Sequence, residues 1–395
     1  MDMKQVYTIT NTITQEVLGE SGLVAEDLSN VVDVGKAIFN AQAFDAYVKA
    51  LVNHIGKVIF VDRPYRGSAP SVLMDGWEYG SVLEKVSSEM PLAVENPSWE
   101  LEDGKSYDPH IFYQPTVEAK FYNMRTTFEI DQSITERQVK QSFSSGTQLN
   151  AFISMLFNQI DKAITVRNDA LIMRTINNMI LETIKDSYTD PASLGGSSTV
   201  KAVNLLYLYN QRFGKTLSAA EAMTEPAFIR FAAFQIGLYA DRLTRLSTLF
   251  NVGGKERFTP RDLLHIVYLS EFLRAADVYL QSDTFHDNFT KIAEGESVPY
   301  WQGSGVDYNF ASTGQVMGSP SSSGAGGAAI TVPGVLAVMF DRDALGVTNF
   351  DRRVTTQWNA KAEFTNYFFK QDAGYFNDLN ENFVVFFMAD VTANG

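Results

Sequence analysis

The chain has 395 residues, 45% hydrophobic and 20% charged, with a formal net charge of −14 and no cysteine. This length predicts two or three compact units, and the composition excludes a chain disordered throughout. The charge disfavours a reader of duplex DNA, which must neutralise phosphates, and the missing thiols exclude disulfide staples, thiol catalysis and cysteine zinc sites.

Residues 1–35 are rich in Thr, Val and Asp with weak periodicity, and predict an extended arm. The opening MDMKQVYTITNTITQEV lacks an apolar signal core. No apolar run approaches the roughly 20 residues of a membrane helix, so the chain is expected to be soluble and intracellular where it is made. Ile38, Phe44, Val48, Leu51, Val52 and Ile55 recur at helical spacing and predict an amphipathic helix from Lys36 to about Asn53.

Residues 60–130 change character. GWEYGSVLEKVSSEM and TVEAKFYNMRTTFEI alternate in the manner of strands. Val117, Ala119 and Phe121 share one parity, and after Asn123 the apolar set moves to Met124, Phe128 and Ile130. Such a switch requires a bulge or bend. Asn96-Pro97, Asp103-Gly104 and Asp108-Pro109 are turn formers between the strands. The segment holds 12 acidic and 6 basic residues. A long, bent, charged hairpin with little core of its own is predicted, and an isolated hairpin is marginal in water, so it needs a neighbour to lie on.

Thr147 to about Asp186 contains neither Pro nor Gly. Leu149, Phe152, Leu156, Ile160, Ala163, Ile164, Leu171 and Ile180 trace one face of a helix roughly 60 Å long. The apolar spacing is too irregular for a coiled coil. DPASLGGSSTV marks a boundary at 190–200. Helices are expected at about 200–212, 226–249 and 260–281, a Gly/Ser-rich loop at 303–329 and a strand at 330–340. In QWNAKAEFTNYF, alternation of Trp358, Ala360, Ala362, Phe364 and Phe368 with Gln357, Asn359, Lys361, Glu363 and Thr365 predicts one half-buried strand. DAGYFNDLNEN then reads as a turn and FVVFFMA as an apolar strand that pairs back, with the long helix lying across the resulting sheet.

Catalytic motifs are sparse. RFGKTL carries Gly214-Lys215-Thr216, but Tyr209 stands where a phosphate loop needs its first Gly, so Gly214 is read as a helix C-cap. His54 and His265 are read as structural or surface histidines on helices. Asp283, His286 and Asp287 form half of a metal cluster at most. GAGG at 324–327 has no strand-to-helix context, and no Gly-x-Ser-x-Gly elbow occurs. No catalytic, cofactor-binding or metal residue is assigned, and no cofactor is expected. Weight therefore moves toward a protein that works through its surfaces.

The order of these elements resembles the HK97-like major capsid proteins of tailed bacteriophages. The resemblance is most specific in VLAVMFDRDALGVTNFDRRVTTQWNAKAEFTNYFFKQDAGYFNDLNENFVVFF, which is similar to the closing block of such proteins from phages of Gram-positive hosts. It implies an α+β fold: an N-terminal arm and helix at 1–59, an extended hairpin (E-loop) at 60–130, a peripheral domain with its spine helix at 131–189, an inserted axial α/β domain at 190–340, and closing strands of the peripheral antiparallel sheet at 341–395. It implies self-assembly through pentamers and hexamers into an icosahedral shell around double-stranded DNA that is not read by sequence. Scaffolding, portal and decoration proteins are the implied partners, with no membrane. The implied location is the virion, after assembly in the host bacterial cytoplasm. Some capsids of this fold join a hairpin Lys to a peripheral Asn beside a Glu. Lys105, Asn359 and Glu363 could take those parts, Asn359 and Glu363 sharing a strand face. The rival readings are an encapsulin-type compartment, an intracellular α/β enzyme or binding protein with 303–329 as a lid, and a tail or portal component.

Overall fold

The computed structural model describes residues 11–12, 14–15, 70–72, 83–135, 146–281, 292–301, 314–319 and 329–390. The arm, the helix at 36–53, His54, Asp283, His286, Asp287 and GAGG fall outside the described residues, apart from four positions within the arm.

The first pair of strands is β1 (Leu83–Ser88) and β2 (Val117–Tyr122), antiparallel with Lys85 opposite Lys120. The excursion between them uses the expected turn chemistry. Asn96 Oδ1 accepts from Ser98 N–H at 2.9 Å, Gly104 adopts a φ of 84°, and Asp108 Oδ1 accepts from His110 N–H at 2.9 Å. The parity switch after Asn123 is a real break. β2 ends at Tyr122, and β3 (Arg125–Thr135) leaves for a different sheet.

The long helix, α1, spans Gly146–Ser187, 42 residues or about 63 Å at 1.5 Å per residue. Over its last half it is not a one-sided amphipathic rod. Leu171, Ile172, Met173, Ile176, Met179, Ile180, Leu181 and Ile184 are all buried, round most of the helix, with Arg174 and Lys185 left exposed. The cause is its position between layers, because α1 meets strands of both main sheets.

Downstream come β4 (Ala202–Asn204), α2 (Leu205–Phe213), the short α3 (Ala219–Ala222) and α4 (Pro226–Leu243). Next follow β5 (Leu264–Leu269), α5 (Ser270–Gln281), β6 (Glu296–Val298), β7 (Val316–Gly318) and β8 (Ile330–Val332). Pro226 starts α4 at the position where a missing N–H costs nothing. Gly214 closes α2 in the left-handed conformation, φ 60° and ψ 35°, as expected of a cap. Two expected helices prove to begin as strands, at 202–204 and 264–269. LHIVYL is a continuous apolar run, and such a run fits a fully buried strand as well as a helix. His265 therefore sits on β5, not on a helix, with its ring stacked on Phe340 at 5.7 Å.

The chain closes with β9 (Val335–Asp341), β10 (Leu345–Asn359), β11 (Phe364–Asn377) and β12 (Phe383–Phe387). The expected pairing of the last two strand segments is wrong. β11 pairs with β10 and β3 in a three-stranded antiparallel sheet, while β12 lies inside a five-stranded mixed sheet of order β4-β12-β9-β5-β6. The single strand expected across QWNAKAEFTNYF is two strand ends joined by a turn at 360–363, whose residues continue the alternation by chance. Conversely, the expected turn DAGYFNDLNEN is strand as far as Asn377, and only 378–382 turn. α1 does lie against β10, β11 and β12, and Asn377 Nδ2 donates to Thr175 O at 2.8 Å.

The C-terminal aromatics thus serve two layers. Phe383, Phe386 and Phe387 are fully buried in the five-stranded sheet, each contributing about 1.5–3 kcal/mol. Phe386 meets Tyr239 of α4 edge-on at 5.3 Å, and Tyr188 meets Phe387 at 6.2 Å. Tyr367, Phe369 and Phe376 are buried from the three-stranded sheet.

Candidate functional site: an exposed hairpin on a buried polar junction

The hairpin has an inverted polarity. Leu83, Lys85 and Ser87 of β1 and Glu118, Lys120 and Tyr122 of β2 face the body, while Val86, Val117, Ala119 and Phe121 face outward. Beyond the paired strands, every residue from Ser88 to Val117 is exposed. Trp99 is 96% exposed, Leu92 89% and Phe112 83%, with Val94, Leu101, Ile111 and Tyr113 also open to solvent. Residues 89–116 carry six carboxylates against one lysine, a net charge of −5 with His110 neutral. Hydrogen bonds at the tip are local, such as Glu100 N–H to Pro97 O at 2.9 Å and Glu102 N–H to the Tyr107 hydroxyl at 3.3 Å.

The inward face rests on the turn that joins the two sheets. Residues 378–382 lie beside the 342–344 connection, and Asp378 N–H donates to Ala344 O at 2.7 Å. Asp378, Asn380, Glu381 and Asn382 are all buried. Asn380 N–H donates to Asp378 Oδ1 at 3.0 Å and Asn382 Nδ2 to Thr259 Oγ1 at 3.1 Å, while Asn382 Oδ1 is buried without a hydrogen-bond partner among the described residues. Thr259 Oγ1 in turn donates to Asp341 Oδ2 at 2.7 Å. Gly253 passes so close that a Cβ there would collide with the side-chain amide of the buried Asn380.

Charges from both hairpin strands converge here. Lys85 Nζ lies 2.9 Å from Asp378 Oδ2 and 2.8 Å from Glu381 Oε1, and donates to Asp343 O at 3.2 Å. Lys120 Nζ lies 3.2 Å from Asp378 Oδ1, and Arg257 Nε 3.3 Å from Glu381 Oε1. Lys255 Nζ reaches Glu89 at 2.8 Å and Glu118 at 3.1 Å. Burial pushes the Asp378 carboxyl up, but the Lys85 and Lys120 ammonium groups and the Asn380 N–H outweigh it, so Asp378 titrates below its ordinary value. Burial likewise pushes Lys85 down, and Glu381 and Asp378 more than reverse it. Asp341 shifts the other way: desolvation raises its carboxyl despite bonds from Asp343 and Thr259.

Of the three residues weighed for a cross-link, Asn359 and Glu363 are not on one strand. Lys105 pairs with Glu102 at 3.4 Å on the exposed tip. Asn359 ends β10, and its Oδ1 accepts from Lys361 N–H at 3.1 Å and Ala362 N–H at 3.2 Å. Glu363 lies across that turn with a φ of 52°, so the expected shared strand face does not exist. Near Gly214, Lys215 and Thr216 opens a cleft of about 710 Å³. Asp390, which also lines this cleft, accepts from Ala219 N–H at 2.7 Å at the start of α3. Among the described residues no group of His and acidic side chains could hold a metal ion, and no helix is long and apolar enough to cross a membrane. Sequence reasoning found the hairpin but missed its mooring. The only signal was a pair of carboxylates in an apparent turn, with no hint of burial.

The sequence matches the model of the Phi29-like phage major capsid proteins over residues 9–387. No curated protein matches it. Similar solved structures include the capsid of Staphylococcus phage Andhra, at 11% identity and a TM-score of 0.48 over 83% of this chain and 87% of that one. A chain in a structure of bacteriophage P68 is 8% identical with a TM-score of 0.48, over the same shares. The capsid of cyanophage P-SCSP1u is 9% identical with a TM-score of 0.45, over 84% of this chain and 91% of that one. The family match spans nearly the whole chain, hairpin, helix and both sheets included, and on it the chain belongs to the Phi29-like phage major capsid protein family, a structural protein of the phage shell and not an enzyme.

Proposed function

We propose that the chain builds an icosahedral shell around double-stranded DNA, with each hairpin tip lying on a neighbouring copy. The observation that carries this is the unbroken exposure of Ser88–Val117, a stretch that includes Leu92, Trp99 and Phe112. Exposed apolar surface of this extent marks an interaction site, and a ribbon of two strands does not support itself. A head-to-tail contact, tip on one copy and a different surface on the next, builds rings of identical subunits when the rotation between copies closes. The net charge of −14 suits a wall that encloses DNA without reading it.

On this reading 60–130 is the extended loop, 1–59 is the arm and its helix, 131–189 and the part of 341–395 up to Asn377 form the peripheral domain around α1, and 190–340 is the axial domain, whose five-stranded sheet also takes in β12 from the closing segment. Assembly takes place in the host cytoplasm, with scaffolding, portal and decoration proteins as partners. The test is deletion of Asn96 to Asp108. Soluble subunits that melt like the parent but form no shells in negative-stain images are expected, and regular shells from the deleted chain would overturn the role of the tip. Particles filled with nucleic acid separate this reading from a compartment loaded with protein cargo, and the family match favours the former.

A further inference from the structure

Resting on the shell reading, we infer that Lys85, Asp378 and Glu381 are positioning residues that hold the hairpin in one direction on its own subunit, so that its tip meets the neighbouring copy already aimed. Hydrophobic contact holds only the base of the ribbon, where Leu83 and Tyr122 face the body and Tyr122 meets Phe376 at 5.2 Å, while Val86, Val117 and Phe121 face outward. The chain from β2 to β3 is only Asn123 and Met124, and Met124 O accepts from Tyr375 N–H at 3.2 Å, so the backbone ties the ribbon's base and side chains are left to fix its swing about that tie.

The pairing register gives the sharper reason. Lys85 and Lys120 stand directly opposite each other across the two strands. Like charges in that relation destabilise a strand pair. Asp378 removes the conflict by giving one oxygen to each, Oδ2 to Lys85 of β1 and Oδ1 to Lys120 of β2. A single carboxylate of the body therefore grips both strands, and does so only in one pose. Glu381 ties the same Lys85 to Arg257, and Lys255 adds a second hold farther out through Glu89 and Glu118. A local arrangement that is unfavourable in the hairpin alone and satisfied only by the body is what a positioning device requires.

The chain has no cysteine, so spin labels can be placed at will on the full-length, unassembled subunit. One label pair, Ser98→Cys with Ala227→Cys, reports the tip against α4. A control pair, Lys185→Cys with Ala227→Cys, reports the body alone. Electron–electron resonance should give the same width of tip-distance distribution in the native background and in Lys85→Arg, which keeps the charge. Lys85→Met and Asp378→Asn should broaden the tip distance and leave the control narrow. Unchanged tip distances in both variants would overturn the inference. Broadening of the control together with the tip would also overturn it, by assigning these residues to the fold of the body. Because the subunits are unassembled, a negative result leaves the shell reading standing. That reading fails separately, if tip-deleted chains form shells.

Discussion

The hairpin tip and the 378–382 junction are opposites. At the tip, tryptophan, leucine and phenylalanine face water, while at the junction two carboxylates, two amides and the ammonium group of Lys85 are drawn inside. Either region would be costly in a molecule that ended at its own surface. Together they describe a subunit whose apolar surface is kept for a partner and whose charges are spent on holding that surface out. The difference teaches that burial within one chain does not identify which residues matter to a protein built for many copies.

Four changes sharpen or break this contrast. The largest loss of subunit stability is expected from Phe386→Ala, inside the five-stranded sheet and away from both regions. Removing a fully buried ring there should cost about 3–5 kcal/mol in urea unfolding of the free subunit. Next is Asp378→Asn, at about 2–3 kcal/mol, toward the low end for broken buried pairs because the Lys85 side chain keeps 23% of its exposure. The pH dependence of that loss has a definite sign. The folded-state value of Asp378 is depressed, so its contribution is complete above the unfolded carboxyl value of about 3.9 and disappears as pH falls through the lower folded value. Native protein and Asp378→Asn should therefore converge in unfolding midpoint in strong acid and stay apart at neutral pH. Asp341 is raised in both proteins and cancels in the difference.

Phe364→Ala should cost less, about 1 kcal/mol, since Phe364 is only half-buried at the end of its strand. The smallest effect on the subunit is expected from Trp99→Ala, within about 0.5 kcal/mol by thermal melting. The same substitution should reduce shell yield, so stability and assembly separate at the tip. A Trp99→Ala subunit that melts much lower would place the tip on its own molecule and erase the contrast.

Much of the architecture was legible in the sequence because it is local. The bounds of α1, the turns at Asn96, Asp103-Gly104 and Asp108, the break after Asn123 and the Gly214 cap all follow from residues within a few positions of one another. What stayed hidden depends on distant partners. LHIVYL became a strand because β9 and β6 flank it, and periodicity cannot separate a buried strand from a buried helix in so short a run. FVVFF chose β9 and β4 over the strand just before it. The alternation through Ala360–Glu363 ran on across a turn and concealed it. The junction was the least legible of all. Lys85 and Glu381 are 296 positions apart, and nothing near either residue announces the other.

The central claim is that the hairpin tip, unsupported within one subunit, is supported by another copy. Hydrogen–deuterium exchange of the backbone amides between Glu89 and Thr116, compared in free subunits and in assembled shells, tests it most directly. Rapid exchange in the subunit and strong protection in the shell is the predicted result. Equal, rapid exchange in both states would contradict it.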